Sequence, residues 1–215
     1  ESVFLWLEVE TELRQRSHGK VGLDDFCKKF FGGPSGQPQV LPYLESEIYQ
    51  TLGDLVGHDW KTHLRNRLDQ TNSKLYLEAL EKTGWHLVYN DEKNEEFNEQ
   101  EGRRKAINRL SSLGLVIGDQ GDIVDLNPKG LAGKAGLCPG MKVVAVNRRE
   151  YSSKYLDALL KESSKSPVTF DLLVKKDGYF SEVQLKYQGG LRIPHLERLA
   201  DSNDLLSPLL QARRH

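Results

Sequence analysis

The stretch GLAGKAGLCPGMKVVAVN, residues 130–147, organises the interpretation of the whole chain. Its first residues predict a short helical turn that ends at Gly136, where glycine takes a left-handed conformation at little cost. Pro139 and Gly140 predict a tight turn, because proline fixes φ at one position and glycine leaves it free at the next. Val143, Val144 and Val146 then predict a buried strand. The stretch therefore predicts a helical turn, a tight turn and a strand in that order.

The composition limits the classes of protein to which the chain can belong. The 215 residues carry 30 basic and 31 acidic side chains, for a formal net charge of −1. This balance argues against a nucleic-acid or membrane-surface role driven by charge. No apolar run approaches the ~18 residues that a membrane span requires. The two cysteines have no zinc-type spacing, and they leave the compartment open between cytoplasm and periplasm.

Residues 1–90 predict a mainly helical segment. The apolar spacing predicts helices at residues 1–16, 23–31, 42–56 and 60–68, then a short helix, a stop at Gly84 and a strand at 85–89. Asp59 is expected to cap the fourth helix. His58 and His63 lie five positions apart with no carboxylate at a metal-ligand offset, so we predict no metal site here.

Residues 91–105, DEKNEEFNEQEGRRK, are dense in charge and contain one large apolar residue, Phe97. We interpret them as a linker between two domains.

The second domain is expected at residues 106–188. Its strands are predicted near 111–117, 123–126, 143–146, 168–175 and 179–187, the last two joined by an Asp177-Gly178 hairpin turn. Residues 189–215 are expected to form a tail that packs back on the body. The predicted fold class is α+β.

The second domain resembles the PDZ domain, in the arrangement found in bacterial protease-associated members. The resemblance rests on Ala135-Gly136-Leu137, on Pro139-Gly140 and on the strand that ends at Asn147. It implies a partly open β-barrel with two helices. The sequence departs from the pattern at Arg148, where such domains usually carry glycine, and this leaves the type of that turn open.

The segment Ser112-Leu113-Gly114-Leu115 resembles the carboxylate-binding loop of PDZ domains. Gly114 lets the backbone turn so that successive N–H groups point at one spot, a nest that suits the terminal carboxylate of a peptide. The peptide would add to the edge of the following strand, with a helix from Ser153 to Lys161 as the other wall. The pocket for its last side chain would be lined by Leu113, Leu115, Leu156 and Leu160. In the alternative interpretation, the groove is filled by the protein's own chain or is vestigial.

Nearly the whole chain is similar to the C-terminal portion of the glycyl aminopeptidase family of zinc metallopeptidases. The order of the following motifs carries this resemblance: Leu5, Glu8 and Leu13-Arg14; Leu23-Asp24-Asp25-Phe26; Phe30-Phe31-Gly32; Pro42-Tyr43; Asp59-Trp60; Gly84-Trp85; Ser112-Leu113-Gly114; Gly189-Gly190; Pro194-His195-Leu196-Glu197-Arg198. The family implies a thermolysin-like catalytic domain, a helical segment and a C-terminal PDZ domain. Residues 1–90 would then be the helical C-terminal part of the catalytic region.

The family also implies a zinc ion held by an H-E-x-x-H helix and a downstream Glu. This chain contains no H-E-x-x-H sequence, so it offers no catalytic residues and no metal ligands. The only methionine is Met141 and the chain opens with Glu1. We therefore expect an inactive fragment whose zinc site lies upstream in the full-length protein.

Three hypotheses remain open at this point. The first is the C-terminal part of a zinc aminopeptidase that acts on small N-terminal residues, whose PDZ domain binds peptide C-termini, a partner protein or the upstream catalytic domain. The second is a non-enzymatic PDZ adaptor that recognises C-termini. The third is a structural packing module with a closed groove.

Overall fold

The computed structural model describes residues 2–33, 36, 40–70 and 75–211. The chain divides into two compact units, residues 1–87 with 196–215 and residues 88–195. Unit 1 is mainly helical and unit 2 contains most of the strands, which confirms the α+β class. In the described part of the chain, no helix is long and apolar enough to cross a membrane.

Unit 1 begins with five helices, close to the predicted positions. They are α1 (Ser2–Arg16), α2 (Leu23–Phe31), α3 (Glu45–Leu55), α4 (Trp60–Asp69) and α5 (Leu75–Glu81). Asp59 caps α4 as predicted, because its carboxylate accepts a hydrogen bond of 3.0 Å from the Thr62 N–H. Helix α3 begins at Glu45 rather than at Pro42, since the backbone of Leu44 is extended.

The core of unit 1 is formed where α1, α2, α3 and α4 meet, and it contains Val9, Leu13, Phe26, Leu52, Trp60 and Leu64. A buried carboxylate lies at the edge of this core. Glu8 on α1 is 8% exposed and accepts hydrogen bonds from Arg67 at 3.0 Å and from Lys82 at 2.6 Å. A buried charge requires such partners, so Glu8 fixes α1 against α4 and the end of α5.

Unit 2 contains two antiparallel sheets. The first has the order β2-β3-β4 and the second β6-β5-β7-β8. Their strands are β2 (Ala106–Arg109), β3 (Leu115–Gly118), β4 (Ile123–Leu126), β5 (Lys142–Val146), β6 (Arg149–Glu150), β7 (Val168–Lys176) and β8 (Tyr179–Tyr187). The helices of the unit are α6 (Glu95–Arg104), α7 (Leu131–Lys134) and α8 (Ser153–Glu162).

A separate two-stranded sheet pairs β1 (Trp85–Asn90) with β9 (Ile193–Arg198). The division between the two units falls within both of these strands. After β9 the chain returns to unit 1 and ends, in its described part, after α9 (Ser207–Leu210). There the Trp85 indole donates a hydrogen bond of 3.0 Å to Asp204.

The turns that the sequence predicts take their expected conformations. Gly136 and Gly140 have φ of 88° and 84°. Asp177 and Gly178, with φ of 51° and 87°, join β7 to β8 in a tight hairpin turn in which both central residues have positive φ. The turn after β5 is of the same kind although it contains Arg148 instead of glycine, with φ of 62°.

Residues 91–105 are not only a linker, because α6 occupies most of them and lies within unit 2. Asn94 caps this helix by accepting a hydrogen bond of 2.8 Å from the Phe97 N–H. Acidic residues occupy its first turn and basic residues its last, as the helix dipole favours. The high charge density that suggests a linker is therefore the exposed surface of a helix.

Two alanine substitutions test the packing of unit 2. Gly102 lies in α6 with open space where the methyl group of an alanine would be, whereas a methyl group at Gly133 would lie 2.6 Å from the carbonyl oxygens of Asn127 and Pro128. Gly102→Ala is expected to stabilise the unit by roughly 0.5–1 kcal/mol. Gly133→Ala is expected to destabilise it by about 1–3 kcal/mol.

The free energy of unfolding of unit 2 would be measured by amide hydrogen exchange in β7 and β8. Tryptophan fluorescence is unsuitable, because Trp6, Trp60 and Trp85, the three tryptophans of the chain, all lie in unit 1. Equal effects of the two substitutions would contradict this account of the packing.

Candidate functional site

The candidate site is the loop between β2 and β3, where the sequence predicts a nest of N–H groups. The backbone N–H groups of Ser112, Leu113 and Gly114 do converge on one oxygen atom, at 3.2, 2.9 and 3.0 Å. That oxygen is the carbonyl of Arg109. Gly114 has φ of 82°, the left-handed conformation that the prediction requires. These three N–H groups therefore bind an acceptor of the same chain, and their use for a peptide carboxylate stays a prediction.

Strand β3, the predicted site of peptide addition, has neighbours on both edges. It pairs with β2 on one side, from Ala106 opposite Gly118 to Arg109 opposite Leu115. It pairs with β4 on the other side. All four residues of β3 are buried. A peptide could therefore add to β3 only by replacing β2 or β4.

The four leucines that the sequence assigns to the pocket are brought together. Leu113, Leu115, Leu156 and Leu160 are each 3% exposed or less. They belong to the hydrophobic core of unit 2, together with Phe170. In this structure they fill the core rather than line an open pocket. Their contact with a peptide stays a prediction.

The side chain of Arg109 is the largest polar group buried in unit 2, with none of it exposed. Its Nε and Nη2 atoms donate to Oδ1 and Oδ2 of Asp157 on α8, at 2.7 and 2.8 Å. Its Nη1 atom donates to Glu101 on α6 at 2.5 Å. Burial lowers the pKa of Arg109, but the hydrogen bonds and charges of Asp157 and Glu101 outweigh it and raise the pKa above its ordinary value.

Lys93 completes this cluster. Its Nζ atom lies 2.9 Å from Glu101 and 3.2 Å from Asp157, so two cations face two carboxylates. Sequence analysis missed the cluster, because it assigned Lys93 and Glu101 to a linker and did not assign β2. The Asn94 cap, with acids in the first turn of α6 and bases in the last, is the signal that could have revealed the helix.

The paired histidines of unit 1 contact each other. His58 Nε2 and His63 Nδ1 are hydrogen-bonded to each other at 3.2 Å, and His63 Nε2 lies 3.7 Å from Glu8. Across the described ranges, no group of three or more His, Cys, Asp or Glu side chains could hold a metal ion.

Comparisons with known proteins show a likeness of fold. No protein-family model matches the sequence, and no curated protein matches it. Among solved structures, an aminopeptidase N family protein from Idiomarina loihiensis matches with a TM-score of 0.60 and 16% identity, over 97% of this chain and 35% of that chain. The chain thus shares its fold with about a third of that protein.

A second solved structure is the HtrA3 PDZ domain bound to a phage-derived ligand. It matches with a TM-score of 0.26 and 15% identity, over 54% of this chain and 93% of that domain. A TM-score of this size adds nothing to the description of the fold.

The packing of the loop can be tested with a pair of glycine substitutions. Gly114 and Gly178 both have positive φ, 82° and 87°, so alanine at either position costs about 1–2 kcal/mol. A methyl group at Gly114 would also lie 3.1 Å from the Gly130 Cα atom, whereas nothing lies within 4 Å of one at Gly178. Gly114→Ala should therefore lose more stability than Gly178→Ala, measured by amide hydrogen exchange. Equal losses would show that the loop is not tightly packed.

The burial of His58 predicts that the stability of unit 1 depends on pH. Burial lowers the pKa of His58 below 6.5, with Arg16 and His63 lowering it further and Glu12 and Asp59 opposing them. The unfolded chain thus binds this proton more readily than the folded chain. The stability contribution is complete above pH 6.5 and is lost as pH falls below that value toward the folded pKa.

We expect the unfolding midpoint, measured by tryptophan fluorescence, to decrease when the pH is lowered from about 7.5 to about 5.5. The decrease should be smaller in His58→Gln. His18→Asn is the control, because asparagine tolerates the positive φ of 54° at that position. The same pH dependence in His58→Gln and in the unsubstituted protein would contradict the assignment.

Proposed function

We propose that this chain is the C-terminal, non-catalytic part of a zinc aminopeptidase that acts on peptides with small N-terminal residues. The observation that carries the proposal is the shared fold along 97% of this chain with an aminopeptidase N family protein. The larger part of that protein lies outside the match, since only 35% of it is covered. A catalytic part upstream of residue 1 would correspond to this remainder.

In this proposal each part of the chain has its own role. Residues 1–90 are the helical C-terminal part of the catalytic region, and residues 106–188 are a PDZ domain. Residues 189–215 are the C-terminal tail, of which residues 212–215 lie outside the described part of the chain. The zinc ion is held by upstream residues. The chain's own contribution is to pack against the catalytic part or to dock a protein partner.

A structural packing role for unit 2 has specific support as a second candidate. The N–H groups of the loop are satisfied by the Arg109 carbonyl, and both edges of β3 are paired. In this closed state the unit offers no free strand edge to a peptide at this site. These contacts favour packing in the closed state, from which a peptide could reach β3 only by displacing β2 or β4.

The proposal predicts a difference between the full-length natural protein and this chain. We expect about one zinc ion per full-length chain, measured by metal analysis, and release of glycine or alanine from short peptides. We expect neither zinc nor peptide cleavage from the chain alone. Addition of a chelator should abolish release by the full-length protein.

A full-length protein that binds no zinc and cleaves no peptide would overturn the enzyme proposal. It would leave the packing module as the better description. Cleavage by the isolated chain would overturn the assignment of a non-catalytic part.

A further inference from the structure

Strand β2 has the geometry of a bound peptide. It runs antiparallel to β3 and toward the loop, and its last residue, Arg109, lies opposite the first residue of β3, Leu115. The Arg109 carbonyl oxygen accepts three backbone N–H groups of the loop. A peptide that ended at this position would place its terminal carboxylate on the same N–H groups. An ionised acceptor makes stronger hydrogen bonds there than a neutral carbonyl does.

The side chain at this last position defines what the site selects. The guanidinium of Arg109 is fully buried and forms a bidentate pair with Asp157. Asp157 lies on α8 between Leu156 and Leu160, whose side chains are in the core. A planar guanidinium matches both oxygens of such a carboxylate at once, which an ammonium group does not do as a fork. Without Arg109, Asp157 and Glu101 would face one cation, Lys93.

We propose that residues 106–109 are an internal ligand of the groove between β3 and α8. We propose also that this groove accepts, in place of residues 106–109, a peptide ending in arginine. The peptide carboxylate would bind the N–H groups of residues 112–114, and its last side chain would bind Asp157. This differs from the sequence-based expectation of a leucine-lined pocket. It concerns unit 2 alone and does not depend on the aminopeptidase proposal.

The tether decides which ligand occupies the groove. Strand β2 is joined to the loop by the chain itself, so its effective concentration at the groove is high. A free peptide must compete with this tethered strand. The unsubstituted protein should therefore bind such peptides weakly. A substitution that weakens β2 but leaves Asp157 in place should increase their affinity.

The test uses a labelled peptide with the sequence of the internal ligand, acetyl-Ala-Ile-Asn-Arg with a free carboxylate, and fluorescence anisotropy. Arg109→Ala should bind it at least about tenfold more tightly than the unsubstituted protein does. The same peptide with a C-terminal amide, or with Glu as its last residue, should bind this variant at least about tenfold more weakly than the arginine peptide does. Arg109→Ala combined with Asp157→Asn should lose the preference for arginine over glutamate.

The Arg109→Ala variant leaves two buried carboxylates with one cation, so its folding must be checked by circular dichroism. If it is unfolded, Arg109→Lys takes its place, because lysine keeps the charge and loses the bidentate geometry. The arginine peptide should then also raise the melting temperature of the variant, since it binds the folded state. No binding by the folded variant, or equal binding of the arginine and glutamate peptides, overturns the proposal.

Discussion

The fold of unit 2 depends on the burial of one charge. The Arg109 guanidinium is removed from water, and a buried cation is tolerated only when carboxylates and hydrogen bonds replace its hydration. Asp157 supplies one carboxylate from α8 and Glu101 supplies the other from α6. The ion pairs thus hold α6, β2 and α8 in one arrangement. Removal of either acid would leave two cations facing one carboxylate, and breaking a buried pair in this way costs more than the pair itself contributes.

The same constraint closes the candidate site. Because the Arg109 side chain is fixed to α8, the backbone of β2 is held beside β3, and its carbonyl is held on the N–H groups of the loop. The hydrophobic core beneath, which includes Leu113 and Leu160, then has no open side at this point. Packing and electrostatics therefore support one state, in which β2 lies beside β3 and its last carbonyl accepts the N–H groups of the loop.

Much of unit 2 could be predicted because it is encoded locally. The left-handed Gly136, the Pro139-Gly140 turn and the Asp177-Gly178 hairpin each depend on the conformational range of one or two residues. The Asp59 cap in unit 1 likewise depends on residues three positions apart. Helix α6 carries local signals, the Asn94 cap and the charges of its end turns, but strand β2 was missed because the contacts of its last side chain are not local. Arg109 and Asp157 are 48 positions apart, and nothing in a single sequence pairs them.

Local and long-range contacts also differ in what they determine at the loop around Gly114. Local backbone conformation sets the direction of its N–H groups, and the rest of the fold sets which acceptor they bind. The motif around Gly114 concerns the convergence of N–H groups, which depends on the backbone of a few residues. It cannot predict what they bind, because a ligand carboxylate and a carbonyl of the chain satisfy the same donors. The acceptor in this structure is the carbonyl of Arg109, whose side chain makes the long-range ion pair with Asp157. A loop motif in a sequence therefore indicates where N–H groups converge, and the contacts of the folded chain decide which acceptor they bind.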